Sequence, residues 1–169
     1  MQYDIRQLTE SDLCSYRALR LQALTECPTA FGATPASERA LGDAQILSRF
    51  GSTPSQAMWG GFDADGRLCA TLGMYREQGE KTAHKGNLFA MYVAAQARGQ
   101  GLARRLLETA VEHGRALNLR QLMLGCNAGN GNALRLYEQA GFSEYGLEPA
   151  ALYVDGEYFD EVLMVMKLD

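Results

Sequence analysis

The spacing of apolar residues changes several times along the first fifty residues, and each spacing predicts a different element. Apolar and polar residues alternate over YDIRQL (3–8), which predicts a short strand. Helical spacing from Thr9 to about Glu26 predicts a helix, with Asp12 three residues after Thr9 as in a capping pair. Residues 36–50 predict a second helix.

The rest of the chain shows the pattern of strands separated by two further helices. The segment NLFAMYV (87–93) is nearly all apolar, which predicts a strand buried on both faces. Asp-Gly pairs at 65–66 and 155–156 are typical of tight hairpin turns. The predicted strands are 56–62, 67–77, 87–93, 121–126 and both arms of a hairpin at 151–168, and the predicted helices end near 117 and 141.

These elements follow the order β-α-α-β-β-β-α-β-α-β-β, which is typical of an α/β (α+β) protein with a mixed sheet and helices on its faces. No internal repeat, low-complexity tract or linker divides the sequence. We therefore expect a single domain over residues 1–169.

Composition narrows the class of protein. Of the 169 residues, 47% are hydrophobic and 21% are charged, as in an ordinary folded globular chain. No apolar run approaches the roughly 20 residues that span a bilayer, and MQYDIRQLTESD does not resemble a secretory signal, so no membrane partner is expected. The net charge of -4 argues against a nucleic-acid partner.

The spacing of the cysteines and the small number of histidines argue against a metal site and against a disulfide framework. The four cysteines lie far apart without a C-x-x-C pair, and the chain has only two histidines. We therefore expect no metal site and no disulfide framework, and reduced thiols predict a cytoplasmic location.

The segment QARGQGLARRLL (96–107) combines an arginine, two glycines and the start of a helix. A helix N-terminus with close access to its main-chain N–H groups favours a phosphate ligand. On the glycines alone, a helix cap without a ligand is the better interpretation. The P-loop pattern is absent, and Arg104 stands where a dinucleotide fingerprint needs its third glycine.

Two spaced motifs identify a family resemblance. Arg98-x-x-Gly101-x-Ala103 resembles the R/Q-x-x-G-x-G/A signature of the GNAT superfamily of N-acetyltransferases. NGNALRLYEQAGF (130–142) is similar to that family's N-x-x-A-x-x-L-Y-x-x-x-G-F segment, and the opening R-x-L-T-E-x-D resembles many members. Together the similarities cover essentially the whole chain.

The resemblance implies a GNAT-like fold. This fold has a central twisted, mostly antiparallel sheet of about seven strands, with a parallel splayed pair at the cofactor site and about four flanking helices. It also implies acetyl-CoA as cosubstrate, with the pyrophosphate on the loop and the pantetheine arm paired along the strand before it. The residues implied in cofactor binding are Met91, Tyr92, Val93, Arg98, Gly99, Gln100, Gly101, Leu102, Ala103, Asn130, Asn132 and Tyr137. Asn130 equally fits a cap of the following helix.

The chemistry that the resemblance implies is direct transfer of the acetyl group to a primary amine in a ternary complex. Tyr137 matches the family's general acid, and a main-chain N–H near Tyr92 or Val93 is placed by analogy to stabilise the oxyanion. The general base stays open. The candidates named for it are Glu38, His84, Asp155 and Glu157.

The acceptor is open as well, between small-molecule and peptide or protein amines. Six acids without a lysine or arginine between Glu144 and Glu161 suggest a surface that attracts a cationic amine, and Phe31 is a candidate for the opposite wall. The alternatives are a non-catalytic acyl-CoA-binding or regulatory domain on the same scaffold and, less well supported, a nucleotide-binding domain. The apolar VLMVM segment near the end of the chain favours a homodimer only slightly.

Overall fold

The computed structural model describes residues 3–51 and 53–168 and contains one seven-stranded sheet. The strands are β1 (Asp4–Gln7), β2 (Gln56–Phe62), β3 (Leu68–Arg76), β4 (Lys85–Val93), β5 (Gln121–Asn127), β6 (Ser143–Val154) and β7 (Glu157–Lys167). Their order across the sheet is β1-β2-β3-β4-β5-β7-β6. Only the β4–β5 pair is parallel in this part of the chain, so the predicted mostly antiparallel mixed sheet is confirmed.

Helices cover both faces of the sheet. They are α1 (Leu13–Glu26), α2 (Pro35–Arg39), α3 (Asp43–Phe50), α4 (Leu102–Ala116) and α5 (Gly131–Ala140). Alternate residues of β2 reach opposite sides, because Trp59 packs in one cluster with Leu106 of α4 while Met58 packs with Tyr16 and Ile46. The sheet is therefore the middle of three layers.

The prediction of one continuous helix over residues 36–50 is wrong. The structure has two helices in that segment, α2 and α3, separated at Gly42, which adopts an extended conformation (φ -72, ψ 163) as the N-cap of α3. The Gly42 N–H donates to Oε1 of Gln45 at 2.9 Å, so the chain leaves one helix and enters the next there. The described residues contain five α-helices rather than about four.

The parallel strands β4 and β5 stay together for only three residue pairs. These pairs are Lys85 with Gln121, Gly86 with Leu122 and Asn87 with Met123. Beyond them β5 remains paired with β7, whereas the edge of β4 that faces β5 is open. The predicted splayed pair is confirmed.

The opening of this fork corrects one prediction about β4. The apolar run predicts that residues 87–93 are buried on both faces, but Phe89, Ala90, Met91 and Val93 are only partly buried. They lie where β5 has moved away and a cleft replaces the neighbouring strand. The apolar residues of this run therefore line the wall of a cleft as well as packing in the core.

A bulge bends β4 at the fork. The pairing of β3 with β4 shifts between Thr71 and Gly73, and Ala90 has a φ of 54°, in the left-handed region. The hydroxyl of buried Thr71 donates to the Ala90 carbonyl at 3.0 Å, which holds the bulge in place. Gly73 leaves room for the Phe89 ring, which would overlap a Cβ added at this position.

A bidentate ion pair fixes the start of α1 against β1. Arg6 donates to both carboxylate oxygens of Asp12 at 2.8 Å, and the Thr9 N–H donates to the same carboxylate at 2.8 Å. The Arg6 hydrogen bonds lower the pKa of Asp12 to about 2, even though burial opposes this shift. The Thr9–Asp12 pair thus caps a short 3-10 turn that leads into α1.

We predict that Asp12→Asn destabilises the protein in a pH-dependent way. A depressed folded-state pKa stabilises the fold above the unfolded pKa and loses that effect as the pH falls toward 2. The expected loss is therefore about 2 kcal/mol at pH 7 and about half of that at pH 3. Urea unfolding at both pH values measures it.

The exposed neighbour Glu10 offers the matched control, since Glu10→Gln changes the same charge in the same turn. That variant should unfold within about 0.5 kcal/mol of the parent at both pH values. An Asp12→Asn loss that is equal at pH 7 and pH 3 would contradict an ionic origin.

Candidate active site

The glycine loop places an open helix N-terminus directly beyond β4. Gly99 and Gly101 have φ values of 73° and 75°, and an added Cβ at either would meet no atom within 4 Å. Among the described residues, the N–H groups of residues 99–104 donate no hydrogen bond of ordinary geometry. These N–H groups and the positive end of the α4 dipole form a surface suited to an anion.

The Arg98 side chain turns back toward the sheet. Its Nε donates to the Val93 carbonyl at 2.9 Å, and its Nη2 lies 3.7 Å from a carboxylate oxygen of Glu26. The hydroxyl of Tyr92 donates to the same carboxylate oxygen. Arg98 therefore links the end of β4 to the end of α1. Because its side chain is engaged there, the groups that the loop offers to an anion are mainly its main-chain N–H groups.

A cavity of about 260 Å³ lies where β4 and β5 part. It brings residues from α1, the following loop, β4, β5 and α5 together. Its lining comprises Arg20, Ala30, Phe31, Gly32, Leu88, Phe89, Ala90, Met91, Leu124, Gly125 and Tyr137. Of the residues named from the sequence, Met91, Phe31 and Tyr137 meet here.

Tyr137 reaches this cavity from α5 and is 8% exposed. Burial raises the pKa of its hydroxyl, so the phenol keeps its proton at neutral pH. Its hydroxyl forms no hydrogen bond within residues 3–51 and 53–168. A protonated group at the fork of the two strands can donate to a leaving group bound there.

The two asparagines at the start of α5 take local partners. Oδ1 of Asn130 accepts from the Ala133 N–H at 3.1 Å, which is a helix N-cap. Oδ1 of Asn132 accepts from Arg135 at 2.6 Å. The helix-cap interpretation of Asn130 is thus realised, while Asn130 also borders a second cavity.

The second cavity, of about 620 Å³, lies at the C-terminal end of β5. Residues 26–30, 127–130 and 158–160 line it. Nδ2 of Asn127 donates to the Thr29 carbonyl at 2.9 Å, which links the loop after α1 to the end of β5.

None of the four candidates for the general base lines the smaller cavity. Glu38 is buried against Arg49, with a closest approach of 2.6 Å. His84 is exposed, just before the part of β4 that still pairs with β5. Asp155 and Glu157 are exposed at the turn of the β6–β7 hairpin.

The sequence analysis did not single out Glu161 as a candidate for the general base. Its Oε2 would lie 2.8 Å from a Cβ added to Gly125, and Gly125 lines the smaller cavity. Burial, with a smaller effect of Glu148, raises the pKa of Glu161. The signal in the sequence is the glycine in the middle of a buried strand, which often marks a close approach by another group.

Neither a membrane-spanning helix nor a metal-binding cluster is present in the described part of the chain. No helix in residues 3–51 and 53–168 combines the length and apolar character needed to cross a membrane. In the same residues, no group of three or more histidine, cysteine, aspartate or glutamate side chains could hold a metal ion.

Known proteins resemble this chain in sequence and fold. The sequence profile of the acetyltransferase (GNAT) family matches residues 20–142. A Bacillus subtilis protein provisionally named phosphinothricin acetyltransferase YwnH is 29% identical over 110 residues, which are 65% of this chain and 68% of the relative. The L-methionine sulfoximine/L-methionine sulfone acetyltransferase of Pseudomonas aeruginosa is 30% identical over 80 residues, 47% of this chain and 46% of the relative.

The fold comparison agrees with the sequence comparison. The solved structure of yncA from Salmonella typhimurium with its cofactor acetyl-CoA has a TM-score of 0.85, with 17% identity, and covers 100% of this chain and 95% of that one. The family profile spans well over half of the chain. The chain is therefore an enzyme of the acetyltransferase (GNAT) family, which uses acetyl-CoA as its acyl donor.

Proposed function

We propose that residues 1–169 form one N-acetyltransferase domain that moves the acetyl group of acetyl-CoA directly to a primary amine of a small molecule or peptide. Both substrates are bound at once, and Tyr137 is the general acid. The observation that carries this proposal is the position of Tyr137 in the cavity between the parted strands. We place the enzyme in the cytoplasm, which suits its four free thiols.

The loop binds the two phosphates of the cosubstrate. Residues 99–104 offer N–H groups without internal acceptors, and both glycines leave the approach clear. The positive end of α4 adds to the attraction. Residues 91–93 then pair with the amides of the pantetheine arm as an added strand would, since β5 does not occupy that edge.

The acyl transfer follows from this placement. The amine nitrogen attacks the thioester carbonyl carbon, and a main-chain N–H beside Tyr92 or Val93 stabilises the oxyanion. The carbon–sulfur bond then breaks, and the coenzyme A sulfur takes the proton of the Tyr137 hydroxyl. The raised pKa of Tyr137 keeps that proton available until the thiolate forms.

Deprotonation of the amine is assigned to Glu161, acting directly or through a water molecule. Glu161 lies next to the lining residue Gly125, and its raised pKa makes it a stronger proton acceptor than an ordinary glutamate.

Association as a homodimer is included in the proposal. Tyr145, Leu147, Tyr153 and Tyr158 are large apolar residues exposed on β6 and β7, and β6 is an edge strand. Such a strand is available for pairing with a second copy.

We predict that Tyr137→Phe lowers kcat by roughly 100-fold, because the leaving thiolate loses its proton donor. The dissociation constant of acetyl-CoA should change less than about two-fold, since the ring is kept. Thiol release with a panel of amines gives kcat, and calorimetry gives the affinity.

Exposed Tyr145 supplies the control, and Tyr145→Phe should keep both values. Unchanged turnover in Tyr137→Phe would remove Tyr137 from the mechanism, and coenzyme A binding without any thiol release would favour the non-catalytic alternative.

We predict that Gly101→Ala weakens coenzyme A binding by more than 10-fold, since its Cβ stands where the phosphates approach the main chain. Gly66 is a matched control, because it has the same φ of 75° and the same open surroundings in a distant hairpin. Both alanine variants should lose a similar stability of about 1 kcal/mol. Equal coenzyme A affinities in the two variants would contradict the phosphate site.

We predict that Glu161→Gln lowers kcat/KM at pH 7 by at least about 10-fold. A base works only when ionised, so the activity of the parent enzyme should fall as the pH drops through the raised pKa of Glu161, and this limb should disappear in the variant. Glu144→Gln is the control, because Glu144 is exposed on the same hairpin and does not contribute to the raised pKa of Glu161. An unaltered pH profile in Glu161→Gln would exclude the assignment.

A further inference from the structure

Arg20 of α1 lines the smaller cavity, and two of its three side-chain nitrogens lack a hydrogen-bond acceptor among the described residues. Its side chain is 12% exposed, and its Nε and Nη1 atoms are buried without an acceptor among the described residues. The guanidinium carries five N–H donors. A buried donor without an acceptor costs about 1–3 kcal/mol, so a native structure that retains one calls for an explanation.

The neighbouring carboxylate does not satisfy Arg20. The Arg20 Nε lies 3.6 Å from Oε2 of Glu38, which is beyond hydrogen-bond distance. Arg49 already donates to Oε1 of Glu38 at 2.6 Å and to Oε2 at 3.4 Å. Two guanidinium groups thus face one carboxylate, and this cluster keeps an excess positive charge.

The position of Arg20 is set by its surroundings. Its guanidinium carbon lies 4.8 Å from the centre of the Phe31 ring, which supports one face of the group. Phe31 and Arg20 both line the cavity that also contains Tyr137. The guanidinium is therefore held by packing and by the 3.6 Å ion pair with Glu38, and no described residue accepts a hydrogen bond from its Nε or Nη1.

We infer that Arg20 receives a carboxylate of the acceptor, so that the acceptor is an amine that also carries a carboxylate, such as a single amino acid. Guanidinium and carboxylate match in charge and in their two-point hydrogen-bond geometry. Pockets for drug-sized ligands measure about 300–1,000 Å³, so the volume of about 260 Å³ suits a smaller molecule. Phe89, Met91 and Leu124 provide apolar walls for its side chain.

This inference rests on the proposed acetyl transfer and narrows its substrate. It differs from the expectation that the acidic hairpin attracts a cationic amine. Asp155 and Glu157 line neither cavity, and Asp160 of the same hairpin lines only the larger one, whereas a buried arginine lines the cavity with Tyr137.

The first test compares acids with their amides on the parent enzyme. L-Leucine, L-methionine and L-phenylalanine are assayed against their amides at equal concentrations of the unprotonated amine, with thiol release as the readout. The expected result is a kcat/KM about 10- to 100-fold higher for the acids, the range for a hydrogen bond to a charged group. Amides used as well as the acids would overturn the role of Arg20 while leaving acetyl transfer intact.

The second test uses variants of α1. Arg20→Gln should raise KM for the acids by about 10- to 100-fold and leave the amides within about three-fold, and Arg20→Lys should restore part of the loss. Arg17→Gln is the control, because Arg17 lies on the same helix but pairs with Asp43 at 2.6 Å. Equal effects of Arg20→Gln on acids and amides would indicate a packing role and overturn the inference.

The outcomes separate this inference from the proposed function. Coenzyme A affinity of each variant, measured by calorimetry, shows whether its fold and cosubstrate site are retained. If Arg20→Gln does not fold, the comparison of acids and amides on the parent enzyme decides. Absence of thiol release with every amine, acid or amide, would instead contradict the proposed acetyl transfer itself.

Discussion

The early end of hydrogen bonding between β4 and β5 is the constraint on which the site depends. Three residue pairs hold the strands together, and each strand then follows its other neighbour, β4 with β3 and β5 with β7. The bulge at Ala90 turns β4 at this point, and the Thr71 hydroxyl holds its carbonyl. A fork built in this way has rigid arms, so the peptide groups it leaves open are pre-organised for a ligand.

Under the proposed function both substrates meet at this fork, because the same strand ends serve them. β4 leads into the glycine loop and α4, the proposed phosphate site, while Arg98 returns to the Val93 carbonyl and to Glu26 of α1. Glu26 and Arg20 lie on the same helix, so the proposed cofactor end of β4 and the proposed acceptor wall share one support. Disturbance of the Arg98 contact would therefore affect both sides of the cleft.

The sequence predicted the sheet, the fork and the position of Tyr137 because each leaves a local pattern or a spaced motif. It did not predict the break at Gly42, since one glycine within helical spacing is compatible with a continuous helix. It also missed the surroundings of Glu161 and Arg20. The environment of Glu161 is set by Gly125 on another strand, and that of Arg20 by α2, α3 and the loop after α1, contacts that no local spacing encodes.

Groups of opposite charge lie at the smaller cavity and next to one of its lining residues. Arg20 contributes a cation to the lining from α1, and Tyr137 contributes a neutral hydroxyl from α5. Glu161 does not line the cavity but lies behind the lining residue Gly125, on the side of β7. A molecule with only an amine would leave the buried nitrogens of the guanidinium without a hydrogen-bond acceptor, and one with only a carboxylate would have nothing to acetylate. A zwitterion places its carboxylate toward Arg20 and its amine toward the base and the thioester. In a cavity of low dielectric, the charge interactions that favour this orientation over the reverse are several times stronger than in water. They direct the amine nitrogen to the reacting carbon.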